Sequence, residues 1–298
     1  MIDNQLINQS DKKDFNAIYS NHKLTIPTHN VQSISNNIKQ NQLIQHLQLN
    51  NIDILGLSET NLKPVEAKHF HLHNSQDYTY FFSCSTNNHV DTGVRLIVNK
   101  NISMHIFNKG MIEGRAIFVN IHSKGKQVIR IIQIYLHANK LYIKDRKQLQ
   151  RQIFEIVQQV QTRHYHVIVM GDFNFDPKHR NVTAYNKQKL DFILNLEANN
   201  LHDTTNLVYD ITPDTPHNTW FKPNSNIASR IDMIWCTDRL AMDLIDNTLT
   251  RTELYGSDHL LITSTFTTDM FNFKNHARLR QHKVLRITYC YDQMIEEK

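Results

Sequence analysis

The chain has 298 residues, of which 40% are hydrophobic and 20% charged, and it carries a net charge of +5 with a pI near 9.0. Those values exclude a disordered or fibrous chain, allow one large α/β domain, and suit a polyanionic partner. Three cysteines with no CxxC pair argue against a disulfide framework. A polar N-terminus argues against a signal peptide, and the longest apolar run, Ile129 to Leu136, is too short to span a bilayer.

Residues 1–23 read as a mobile polar arm. An apolar stretch opens at Leu24 to Ile26 and leads to Asn30-Val31-Gln32-Ser33. Ile38, Leu43, Ile44 and Leu47 recur at helical spacing. The run Ile52 to Leu57 predicts a buried strand ending at Ser58-Glu59-Thr60. Tyr78 to Cys84 and Gly93 to Val98 predict short strands. Arg115 to His122 and Gln127 to Leu136 predict a hairpin turning at Lys124-Gly125. Residues 141–161 carry Leu141, Ile143, Leu149, Ile153, Ile156, Val157 and Val160, the pattern of an amphipathic helix. His166 to Met170 is a continuous apolar run, as in a strand buried on both faces, and it ends at Gly171-Asp172-Phe173-Asn174. A helix over Lys187 to Ala198 follows, then strands at Thr219 to Trp220, Ile231 to Trp235 and Ile262 to Phe266. Helices and strands alternate over 24–268 without a repeat or a Pro/Ser linker, which predicts one α/β domain. The stretch 269–298 is a basic tail or the start of a truncated region.

Glu59, Asp172, Asp232 and His259 each fall at or near the end of an apolar strand. Strand ends converge on one rim of a sheet protein, so separation in sequence is no obstacle to proximity. Each residue type suits phosphodiester hydrolysis. A carboxylate such as Glu59 is a hard oxygen ligand for Mg²⁺. Asp172 can align or deprotonate a water, and Asn174, two residues on along an extended chain, can donate to a phosphate oxygen. His259 titrates near neutral pH, and Asp232 is the candidate to hold its tautomer.

The ordered set Asn30-Val31, Leu57-Ser58-Glu59-Thr60, Gly114-Arg115, Ile134-Tyr135, Gly171-Asp172-Phe173-Asn174, Ser229-Arg230-Ile231-Asp232 and Gly256-Ser257-Asp258-His259 resembles the endonuclease/exonuclease/phosphatase superfamily over about residues 26–267. The resemblance is greatest to the endonucleases of non-LTR retrotransposons and to abasic-site endonucleases. It implies a four-layer α/β/β/α sandwich of two mixed sheets flanked by helices. It further implies a Mg²⁺-dependent DNA endonuclease, with Mn²⁺ able to substitute, and places Glu59, Asn30 and Asp258 at the metal. Catalysis then falls to His259, Asp232, Asp172, Asn174, Tyr135 and Asp258, and substrate contact to Asn30, Arg115 and Asn174. DNA is the implied partner, with neither membrane nor obligate protein partner, in a soluble intracellular protein. The sequence departs from the family at Gln32, where many relatives are acidic, and at His137 and Ala138, where Pro and Asn are usual; Asn139 is offset by one residue.

Other readings stay open. The same chemistry could serve RNA, an inositol phosphate or a lipid, and the chain could be an inactive nucleic-acid-binding relic of a mobile element. His69, His71 and His73 would share one face of a strand, as a zinc site or, with no Cys or acid nearby, as a solvated patch. Lys178 to Arg180 and Lys274 to Arg286 could contact phosphates. Trp220 and Trp235 could stack on bases, but in strand-like runs they read first as core residues.

Overall fold

The computed structural model describes residues 23–267 apart from 71–75, 88–89, 124–126, 178–183, 210, 213–214 and 253–255. The terminal segments, Lys178 to Arg180, His71, His73, Cys290 and the Lys124-Gly125 turn lie outside the described residues. His69 ends a short helix, not a strand.

Two six-stranded mixed sheets stack face to face. The first comprises β1 (Lys23–Asn30), β2 (Ile54–Ser58), β3 (Tyr78–Ser83), β4 (Val94–Asn99), β13 (Leu244–Thr250) and β14 (Leu261–Thr267), in the order β13-β14-β1-β2-β4-β3. The second comprises β5 (Ile106–Ile112), β6 (Ala116–His122), β7 (Val128–Tyr135), β8 (His166–Asp172), β9 (Leu201–Asp203) and β12 (Asp232–Thr237), in the order β5-β6-β7-β8-β12-β9. A two-stranded ribbon, β10 (Trp220–Phe221) with β11 (Ala228–Ser229), is tied to the segment before β14 by the Trp220–His259 bridge. Each sheet has one parallel pair, β1 with β2 and β7 with β8. A parallel pair needs a long crossover. Helix α1 (Asn37–Leu49) supplies the first and α3 (Ile143–Gln161) the second. The short α2 (Pro64–His69) follows β2, and α4 (Ala184–Ala198) follows β8.

Three apolar clusters fill the spaces between these four layers. Ile26, Ile54, Leu96, Val119, Ile131, Met170 and Ile262 belong to the cluster between the sheets. Leu149, Ile153 and Val157 of α3 and Leu196 of α4 cover the outer face of the second sheet. Leu43, Ile44 and Leu47 of α1 and Ala67 of α2 cover the outer face of the first. Apolar groups on both faces explain the unbroken burial of β7 and why its sequence does not alternate. The expected four-layer sandwich is therefore the observed one.

Local departures have local causes. Ile38 lies in the first turn of α1, before that helix turns its apolar face inward, and is 67% exposed. Leu141 precedes α3 in a 3₁₀ turn and is 85% exposed, so it is not part of the helix stripe. Trp235 is a core residue, whereas Trp220 is only half buried and its indole N–H is used at the rim, so a core role for it is corrected. Cys84 and Cys236 are free thiols.

Candidate active site

Register brings the strand ends together. Asn30 ends β1 opposite Ser58, which ends β2, and Glu59 follows. Asp172 ends β8 between Tyr135, which ends β7, and Asp232, which begins the antiparallel β12. His259 stands two residues before β14, also antiparallel to its neighbour β1. Strand beginnings and strand ends thus share one rim.

Asn30 is 2% exposed and joins the two sheets. Its amide nitrogen donates to Glu59 Oε2 at 3.0 Å and to Asp172 Oδ2 at 2.9 Å, and its Oδ1 accepts from the Gln32 backbone N–H at 3.0 Å. Tyr135 also donates its hydroxyl to Glu59 Oε2, at 3.0 Å. Burial, and then the Glu59 and Asp172 carboxylates, push that phenol above its ordinary range, so it stays a donor. The Arg115 guanidinium lies over the Tyr135 ring, 5.1 Å from its centroid. Glu59 has a φ of +55°, unusual for a side chain larger than asparagine, and the backbone of Ser33 is bonded to its carbonyl at 2.8 Å.

Asp172 and Asp232 are each 1% exposed, and His259 is 5% exposed. Asp232 Oδ2 accepts from His259 Nδ1 at 2.7 Å and from the Thr219 hydroxyl at 2.8 Å. That leaves His259 Nε2 facing Asp258 Oδ1 at 3.6 Å. Burial alone would depress the imidazole, but Asp232, Asp172 and Asp258 outweigh it and lift its pKa to about 9. Asp172 moves up from the usual carboxylate range because it is buried and because Asp232 stands beside it. His259 and the N–H groups of Asn30 and Asn174 oppose that rise.

Every rim residue singled out from the sequence lies in this neighbourhood, with one correction of geometry. Asn174 does not continue an extended chain. Its φ is +49°, its backbone N–H turns back to Asp172 Oδ1 at 2.8 Å, and its side-chain amide donates to the Leu136 carbonyl at 2.7 Å. Asn139, the asparagine offset by one residue, accepts the Leu141 N–H on its Oδ1 at 2.9 Å and so caps the 3₁₀ turn.

Sequence reasoning missed the residues that hold this centre in place. Thr219 Oγ1 accepts from the backbone of Ile231 and Asp232, both at 3.0 Å, while donating to Asp232. Trp220 Nε1 donates to Asp258 Oδ2 at 3.0 Å. Gln32 Oε1 accepts from the Asp258 N–H at 3.2 Å, Ser257 Oγ donates to the Asn30 carbonyl at 2.7 Å, and His29 Nε2 meets the His259 carbonyl at 3.1 Å. The signals in the sequence were the paired Thr219-Trp220 upstream of Asp232 and the places of Gln32 and Ser257 inside the quoted motifs, none of which specifies these bonds.

The donor set suits a hard cation. It consists mainly of carboxylates, and two carboxylate oxygens, Asp232 Oδ1 and Asp258 Oδ1, are buried without a hydrogen-bond partner among the described residues. Ligating atoms of Asp172, Asp232 and His259 all lie within 4.8 Å of one another. His259 Nδ1 is already committed to Asp232, so this trio is better arranged for proton transfer than as a closed metal cage.

Comparison with known proteins identifies the family and the fold. Residues 28–259 match the Endonuclease/Exonuclease/phosphatase family. No curated protein sequence matches significantly. Among solved structures, an AP endonuclease from Leishmania major superposes with a TM-score of 0.70 at 15% identity, covering 89% of this chain and 92% of that one. A 3′ phosphatase from Neisseria, bound to a product DNA hairpin, gives 0.64 at 22% identity, covering 82% and 99%. An AP endonuclease from Archaeoglobus fulgidus gives 0.61 at 21% identity over the same shares. At these identities the likeness establishes the fold.

Proposed function

We propose that this chain, which belongs to the endonuclease/exonuclease/phosphatase family and is a hydrolase of phosphodiester bonds, is a magnesium-dependent endonuclease that nicks DNA. The observation that carries the reading is the joined centre. Asn30 links Glu59 to Asp172, and Asp172 lies beside the Asp232–His259 pair at one rim. The pI near 9.0 supports a polyanionic substrate. The runs Asn30-Val31-Gln32-Ser33, Leu57 to Leu62 and Thr219-Trp220 support a retrotransposon-type enzyme.

Glu59 would hold the cation, with Asn30 and Asp258 beside it. When bound, a divalent ion neutralises charge on the phosphate and on the leaving oxygen. The protein's own groups do the rest. Asp172 accepts a proton from the attacking water as the water oxygen bonds to phosphorus and the ester oxygen departs. Its buried place raises its proton affinity toward the working range of a base. His259 stays an imidazolium at neutral pH, its Nδ1–H fixed by Asp232 and its Nε2–H free to donate to a phosphate oxygen. Asn174 spends one amide hydrogen on Leu136 and keeps the other for the phosphate. Tyr135 orients Glu59, and Arg115 adds positive charge without reading sequence.

The test is nicking of supercoiled plasmid with Mg²⁺ or Mn²⁺, beside EDTA and the Glu59→Ala and His259→Ala variants. Nicking that all three controls abolish supports the reading. An uncut plasmid refutes the endonuclease assignment. Release of phosphate from small phosphoesters by the same preparation would then assign a different substrate to the same centre.

A further inference from the structure

The turn from His137 to Tyr142 leaves the reaction centre directly. Leu136 receives the Asn174 amide on its carbonyl at 2.7 Å and donates its own N–H to the Asp172 carbonyl at 2.9 Å, so the next residue begins one step from the catalytic strand ends. The turn is held stiffly. Asn139 caps it through the Leu141 N–H, and Arg146, buried under the first turn of α3, donates to the His137 carbonyl at 3.2 Å. On this frame the rings of His137 and Tyr142 stack, with centroids 5.0 Å apart and planes 23° from parallel. Tyr142 remains 43% exposed, and its neighbour Leu141 is 85% exposed.

Large apolar groups left in water on a rigid turn beside a charged centre call for an occupant. The occupant must be flat and apolar on its face and attached to an anion, because Arg115 lies within electrostatic reach of both Tyr142 and Glu59. A nucleobase joined to its phosphate meets both conditions, and aromatic side chains are sequence-tolerant platforms for bases. His137 suits the underside of such a stack. Burial first, then the Arg115 and Arg146 cations, lower its pKa to about 4 against the pull of Asp145, so the ring is neutral at physiological pH.

We propose that the His137–Tyr142 turn is a stacking subsite for a nucleobase adjoining the phosphate at the active centre, with Tyr142 as the platform and Leu141 as its apolar flank. The inference rests on the nucleic-acid substrate of the preceding reading. It extends that reading by separating recognition of a base from hydrolysis of the ester.

The experiment uses the full chain in two arms. In the first, with EDTA present to prevent cleavage, duplex oligonucleotides carrying 2-aminopurine at successive positions are titrated with wild type, Tyr142→Ala, Tyr142→Phe and Leu141→Ala. Wild type should quench the fluorophore at one position, Tyr142→Phe should match it, and Tyr142→Ala should bind about 5- to 150-fold more weakly. Replacing the base at that position by an abasic site should weaken wild type and leave Tyr142→Ala unchanged, which a merely structural role for the ring would not produce. In the second arm, with Mg²⁺, Tyr142→Ala should lose kcat/KM on DNA by a similar factor, mainly through KM, and keep wild-type hydrolysis of a small phosphodiester that carries no ring, such as diethyl phosphate.

Equal binding by wild type and Tyr142→Ala overturns the subsite even if DNA is cut. A parallel loss on DNA and on the small ester overturns it too, by making the turn a support for the centre. Base-dependent binding without cleavage keeps the subsite and removes the hydrolytic reading. No binding of any oligonucleotide by wild type removes both.

Discussion

Gly56 lies in the middle of β2, where the two sheets press together, and a single methyl group there should be costly. A Cβ at this position would fall 1.9 Å from Gln133 Oε1, 2.7 Å from its Cδ and 2.8 Å from Met170 Cε. Gln133 is fully buried and cannot withdraw freely. Its Oε1 accepts from the Thr28 hydroxyl at 3.1 Å, and its amide donates to Ser58 Oγ at 2.8 Å, so the side chain ties β7 to β1 and β2. Displacing it breaks two buried hydrogen bonds, about 1 kcal/mol each, and adds overpacking of about 1–3 kcal/mol. Gly56→Ala should therefore lose about 3–5 kcal/mol, a large fraction of the roughly 5–15 kcal/mol that stabilises a typical domain. Ser58 adjoins Glu59 and also donates to the Ile134 carbonyl beside Tyr135 at 3.0 Å, so DNA nicking should fall as well. Urea unfolding followed by circular dichroism measures the loss. The double variant Gly56→Ala/Gln133→Ala should be more stable than the sum of the two single effects by at least about 1 kcal/mol, because the clash is then gone. Strict additivity, or a Gly56→Ala loss below about 1 kcal/mol, would show that Gln133 does not occupy the space this glycine leaves.

Three further expectations follow from buried groups. Burial raises the Asp53 carboxyl from 3.8 to about 6, against the opposing hydrogen bond from the Thr25 N–H, so the folded state favours its neutral form. Stability should then fall as pH rises from about 4 to about 6, by up to about 3 kcal/mol. Asp53→Asn, which keeps an oxygen for Thr25, should abolish that slope and be the more stable protein at neutral pH; urea midpoints at pH 4, 5, 6 and 7 decide it, and an unchanged slope counts against the assignment. The Arg95 guanidinium is 1% exposed, has no hydrogen-bond partner among the described residues, and lies over the Phe70 ring at 4.2 Å; burial lowers its pKa to about 10. Arg95→Met keeps the ring contact without a buried charge and should gain about 1–3 kcal/mol, read as a higher Tm; a lower Tm would mean the cation has a partner in solution. Trp220→Phe removes the N–H that holds Asp258 and should lower kcat on DNA several-fold, with a stability change of about 1–2 kcal/mol. An unchanged kcat would mean that Asp258 needs no such anchor.

Much of the fold was legible because its strands are buried on both faces. Ile52 to Leu57, Gln127 to Leu136 and His166 to Met170 are apolar runs bounded by polar or glycine-containing segments, and α3 carries a clear apolar stripe. The centre was legible for the same reason, since Glu59 and Asp172 stand where those runs stop. The edge strands β5 and β13 were not: they expose most of their residues, so their sequences, Ile106–Ile112 and Leu244–Thr250, show no run that burial would demand.

What the sequence determined by itself is the set of chemical groups and the strand ends that deliver them to one rim. What only the tertiary structure decided is how those groups are held. The curl of Asn174 back onto Asp172 depends on a positive φ that no periodicity records. The bonds from Ser257 to the Asn30 carbonyl and from Trp220 to Asp258 join segments far apart in the chain. Hydrophobic pattern reports the burial of each segment separately. Sheet register, set by all the strands together, chooses which polar side chains then meet, and so which histidine faces which carboxylate.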